Sequence, residues 1–79
     1  MTIFIGNLSW DTEEEDLKDL FNTYGEVTKC TIPLERDSGR KRGFGFVEMA
    51  HSYDAENAIN QLHGSKLGNN KIRVKQASQ

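Results

Sequence analysis

Apolar and polar residues alternate most clearly over Arg42-Gly43-Phe44-Gly45-Phe46-Val47-Glu48-Met49. Read as a strand, this stretch puts Gly45, Val47 and Met49 on one face and Phe44, Phe46 and Glu48 on the other. Val47 and Met49 are ordinary core residues. The other face carries two large aromatics beside a carboxylate that would be costly to bury unpaired. That face therefore reads as displayed to solvent. Earlier in the chain, Ile3-Phe4-Ile5-Gly6 reads as a short strand with Ile3 and Ile5 inward and Phe4 outward. Leu17, Leu20, Phe21 and Tyr24 then fall at helical spacing, with Thr12 as the cap, Glu15 completing a capping box and Gly25 past the end.

A second strand is expected from about Val27 to Leu34, with Cys30, Ile32 and Leu34 inward and Lys29, Thr31 and Pro33 outward. Val27 is out of phase with that set, which predicts a bulge near Thr28. Residues 35–41 form a polar hairpin loop with Asp37-Ser38-Gly39 as its turn signal, leading into the strand 42–49. Ala55, Ala58, Ile59 and Leu62 repeat the helical stripe, with Ser52 as cap and Gly64 as stop. A turn region over 65–70, in which Asn69 or Asn70 takes the left-handed conformation, precedes a last strand from Lys71 to Lys75. Ile72 and Val74 point inward there and Arg73 outward, and residues 76–79 read as a polar tail. The order strand, helix, strand, strand, helix, strand predicts an α+β, ferredoxin-like βαββαβ sandwich. Right-handed crossovers place both helices on one face of a four-stranded antiparallel sheet and leave the other face open.

Seventy-nine residues suit one domain spanning 1–79, with a single buried layer. The lone cysteine, Cys30, excludes an internal disulfide and reads as a small core residue in a cytoplasmic protein. Two separated histidines, His51 and His63, have no metal-ligand spacing and read as structural, so neither metal nor cofactor is expected. No apolar run is long enough to span a membrane. The net charge of −2 argues against a simple polycation, but the charges are segregated. Asp11, Glu13, Glu14, Glu15, Asp16 and Asp19 crowd the first helix, while Arg36, Arg40, Lys41 and Arg42 crowd the hairpin. Lys66, Lys71, Arg73 and Lys75 follow near the end. Such a chain presents a positive face despite its negative total. Displayed aromatics beside cations form a surface for flat, negatively charged ligands, a description that nucleotides in a single strand meet.

The octamer 42–49 matches seven of the eight positions of the longer sequence signature of the RNA recognition motif, departing only at the inward Met49. Ile3-Phe4-Ile5-Gly6-Asn7-Leu8 resembles the family's shorter hexamer. Gly25-Glu26-Val27, Asp54-Ala55 with Ala58-Ile59, and Leu62-His63-Gly64 resemble its framework. The chain is most similar to small single-domain bacterial members and to the domain of plant glycine-rich RNA-binding proteins. Asn69-Asn70 stands where the family often has Gly-Arg. The resemblance implies that Phe4 and Phe44 each stack a base, Phe46 lies against sugars, and Arg42 pairs with a phosphate. It also implies contacts from Asn7, Lys29, Thr31, Lys41, Glu48, Arg73, Lys75, Gln76 and Ala77. The implied partner is single-stranded RNA, with single-stranded DNA bound more weakly, to a monomer.

Two other classes of function fit these residues less well. A protein-binding domain of this fold would use the helical face or an altered sheet, and the intact aromatics argue against it. An acylphosphatase-like enzyme needs a basic phosphate-cradling loop, whereas Asn7-Leu8-Ser9-Trp10-Asp11 carries no base. Trp10 reads as padding for the helix ends, and the acidic helix as a solvated face that repels nucleic acid.

Overall fold

The computed structural model describes residues 1–77. Its elements are β1 (Thr2–Gly6), α1 (Glu14–Asn22), β2 (Val27–Thr31), β3 (Phe44–Met49), α2 (Ser52–Leu62), β4 (Lys66–Leu67), β5 (Asn70–Lys71) and β6 (Arg73–Gln76). A four-stranded antiparallel sheet runs in the order β2-β3-β1-β6, so the two strands that carry the aromatics are central. This is the expected ferredoxin-like arrangement. The short β4–β5 hairpin stands in place of the plain turn expected over 65–70. Its left-handed residue is Gly68, at φ +64°, not an asparagine of the 69–70 pair.

Alternation explains the core. Ile3 and Ile5 of β1, Val47 and Met49 of β3 and Val74 of β6 are all buried. They meet Leu17 and Phe21 of α1 and Ala55, Ala58 and Leu62 of α2. The small alanines let α2 lie close to the sheet. Gly25 has a second reason to be glycine, because a Cβ there would come within 2.6 Å of the Cβ of Asp54 at the start of α2.

Several boundaries differ from expectation. The α1 helix is capped one residue later than Thr12 and Glu15 implied: the Asp16 carboxylate accepts the Glu13 backbone N–H at 2.8 Å. In a run of consecutive acids, the same i, i+3 geometry is available in the next register. Likewise α2 begins at Ser52 with His51 as its cap. The bulge between Val27 and Lys29 is present. β2 ends at Thr31, however, and only an isolated Leu34–Lys41 bridge continues the pairing. Leu34 is therefore exposed and not part of the core. His63 is structural, its Nδ1 accepting the Val74 N–H at 3.1 Å. Gln76 belongs to β6, opposite Ile3, and the Ala77 N–H donates to the Thr2 carbonyl at 2.9 Å, so the polar tail starts later than expected. Its last two positions, 78 and 79, lie outside the described residues.

Candidate nucleic-acid interface

With Ile3, Ile5, Val47 and Met49 turned to the helices, the pleat sends their neighbours to the open face. The register then sets who stands beside whom. Phe4 faces Phe46 across β1 and β3, with Thr31 beyond Phe46 and Lys75 beyond Phe4. One row toward the β1 C-terminus, Gly6 faces Phe44, with Arg73 on its other side. One row the other way, Thr2 faces Glu48, with Lys29 beyond. The open face is thus three cross-strand rows of named residues, with aromatics at the centre and cations at both edges.

The three rings form a triangle with every pair of centroids 5.8 Å apart. Phe4 and Phe44 are tilted only 27° from one another, while Phe46 stands edge-on to both, at 66° and 84°. Gly6 makes this geometry possible. A Cβ there would lie 3.0 Å from Cε2 of Phe4, so the absent side chain is what lets the Phe4 ring lean along its strand toward Phe44. All three rings are half-buried, leaving their outer surfaces free to receive another flat group. Two near-parallel rings beside an upright third can stack two bases and hold the sugars between them.

Cations sit against these rings. Arg42 Cζ is 5.4 Å from the Phe44 centroid and Lys75 Nζ is 5.5 Å from that of Phe4. Both are within range of a cation–π attraction. Lys29, Arg42, Arg73 and Lys75 are all exposed, and Glu48 is the one acid among the outward residues of the four strands. The Thr2 hydroxyl donates to Glu48 Oε2 at 3.5 Å. Gly43, at φ +81°, immediately precedes β3, which begins at Phe44.

Lys41 is not with the sheet-face cations: its ammonium is 2.7 Å from the Glu13 carboxylate beside α1. Asn7 also has a structural task. It adopts φ 60°, donates through Nδ2 to the Lys71 carbonyl at 2.8 Å and accepts from Asn70 Nδ2 at 3.1 Å through its own carbonyl. These bonds tie the end of β1 to β5. Trp10 does not pad the helix ends, since 83% of its surface is exposed. The acids of α1 do more than face solvent, because Glu14 Oε2 accepts the Ile32 N–H at 3.1 Å. Cys30 is packed against the core, and burial, followed by the nearby Glu14 charge, pushes its thiol up to about 11. Sequence reasoning passed over Thr2 and Gly6 as site residues. Gly6 was legible in principle, since it lies on the same strand face as Phe4.

Comparisons with known proteins fit this geometry. The glycine-rich RNA-binding protein RZ1B of Arabidopsis thaliana is 47% identical over 75 residues, covering 95% of this chain and 26% of that protein. The mitochondrial glycine-rich RNA-binding protein 4 of the same plant is 43% identical over 77 residues, 98% of this chain and 57% of that one. The chain thus spans about a quarter to somewhat over half of these relatives. Among solved structures, the RNA-binding protein PG1 superposes with a TM-score of 0.96 at 43% identity, covering 100% of this chain and 95% of that one. The family model of the RNA recognition motif matches residues 3–73, which takes in both central strands and both helices. On that match the chain belongs to the RNA recognition motif family.

Proposed function

We propose that this domain binds single-stranded RNA on the open face of its sheet. One base stacks on Phe4 and one on Phe44, and Phe46 packs against the sugars. Arg42, Arg73 and Lys75 meet phosphates, while Lys29, Thr31 and Glu48 border the strand at the β2 edge. The observation that carries this reading is the 5.8 Å triangle of half-buried rings flanked by two cations. Duplexes hide their base faces, so a stacking platform selects splayed single strands. Family membership and the names of its relatives support RNA as the ligand. Single-stranded DNA offers the same base faces and is proposed as a weaker ligand of the same monomer. Nothing in this arrangement calls for catalysis.

Two stacked bases contribute about 1–3 kcal/mol each, and screened phosphate contacts add modestly. The affinity expected is low micromolar or weaker, for a site of about two to four nucleotides. Titration of a random single strand at several salt concentrations tests the proposal. Two to four phosphate contacts give a log–log salt slope of roughly −1.5 to −3. A salt-independent affinity, or equal affinity for a duplex of the same sequence, would contradict it.

A further inference from the structure

Glu48 is the one acid among the outward residues of the four strands, and its charge is left unanswered. Lys29 is its direct partner across β2 and β3, yet neither residue forms an ion pair among the described residues. The Thr2 hydroxyl reaches Glu48 Oε2 only at 3.5 Å. The carboxylate is exposed and, with Thr2, Lys29, Thr31 and the Phe46 ring, lines a hollow one row beyond the Phe4–Phe46 pair. A carboxylate there opposes the phosphates that the rest of the face attracts. Having two acceptor oxygens and no donor, it can meet RNA favourably only at a hydrogen-bond donor.

We infer that Glu48 is a specificity-determining residue, through which this hollow selects guanine. The inference rests on the RNA binding proposed above. Guanine alone among the four bases presents two N–H donors side by side, N1–H and the 2-amino group, so one carboxylate can take both. Adenine and cytosine offer a single amino group next to a ring nitrogen that is itself an acceptor. Uracil offers one N–H between two carbonyls. Each of these three sets an acceptor against one of the Glu48 oxygens. Lys29, on the same hollow, supplies an ammonium donor for the guanine O6, which lies beside N1–H. Since Phe4 stands in the adjoining row, the selected guanine is the neighbour of the base stacked on Phe4.

The test uses labelled RNA strands of about four nucleotides, with one guanine walked through a uridine background. At one position guanine should bind about 5- to 20-fold more tightly than adenine, cytosine or uracil, the low part of the range for a bidentate base contact because the carboxylate is exposed. Inosine, which lacks the 2-amino group, should lose much of that advantage. Glu48→Gln replaces one acceptor by a donor and should abolish the preference; circular dichroism confirms that it folds. If no position prefers guanine, or Glu48→Gln keeps the same preference, the assignment is overturned while RNA binding stands. If Glu48→Gln raises every strand by one factor, the carboxylate only repels phosphate; if it lowers every strand alike, the carboxylate meets the 2′-hydroxyl. Either result also overturns the assignment. If none of the strands binds the parent protein, the RNA reading itself fails and the guanine site with it.

Discussion

Replacing Gly45 by alanine is expected to destabilise the domain while sparing its aromatic platform. Gly45 sits on β3 between Phe44 and Phe46, but it faces the helices and is buried. A Cβ at this position would lie 2.9 Å from the Thr31 carbonyl oxygen, 3.1 Å from Leu17 Cδ1 and 3.2 Å from Ile32 Cγ1. The two side chains can yield slightly, whereas the carbonyl belongs to the β2 backbone and cannot turn aside. Overpacking of this kind costs about 1–3 kcal/mol. Against it stands the general gain of about 0.5–1 kcal/mol from removing a glycine within a strand. Gly45 is not among the positive-φ glycines, so no backbone strain adds to the cost. A net loss of roughly 1–2 kcal/mol remains, at about 4–8 °C of Tm per kcal/mol for a domain of this size. Thermal and urea melts measure it, and an RNA titration below the transition should show near-parental affinity. An unchanged or raised Tm would refute the reasoning, since it would mean that α1 and β2 do not approach the strand this closely.

The two neighbouring basic residues should behave differently. Arg42→Ala is expected to weaken all single strands alike and flatten the salt slope by about 0.7. Lys41→Ala should leave the slope unchanged and cost under about 1 kcal/mol of stability, because its partner is the exposed Glu13; a flatter slope would place it on the RNA. Cys30 should alkylate more slowly at pH 8.5 than a free thiol, because its pKa stands at about 11 against the ordinary 9.0. The native thiol holds its proton where the unfolded one has lost it, so stability is full below about pH 9 and falls as pH rises toward about 11. Alkylation at the free-thiol rate would show that the packing around Cys30 is loose.

What was legible in the chain followed from periodicity. The inward Ile3, Ile5, Val47 and Met49 and the outward Phe4, Phe44 and Phe46 were fixed by a period of two, and a one-residue slip would have exposed the core. What escaped depended on contacts between distant segments. Alternation already parts Lys41 from Arg42; what the local sequence does not show is that Glu13, 28 residues earlier, supplies the carboxylate that Lys41 meets. Leu34 continued the alternation of its strand but lay beyond the last full pair, where no helix covers it. The capping register of α1 was ambiguous because Glu15 and Asp16 offer equivalent acceptors. Trp10 was misjudged for a plain reason: composition favours burying an indole, and only the arrangement of its loop leaves it in water.

The central claim is that the two faces of β3 have opposite tasks, and one paired measurement tests it. Phe44→Ala and Val47→Ala are each followed by a denaturant melt and by titration with a short single-stranded RNA. Phe44 is half-buried on the open face and Val47 is fully buried beneath it. Phe44→Ala should lose about 1–3 kcal/mol of binding, roughly five- to 150-fold in affinity, with little loss of stability. Val47→Ala should lose about 1–3 kcal/mol of stability through the cavity it leaves, and bind normally below its melting transition. If Phe44→Ala unfolds the domain while Val47→Ala stays folded and loses RNA, the strand is reversed and the platform is not the binding site.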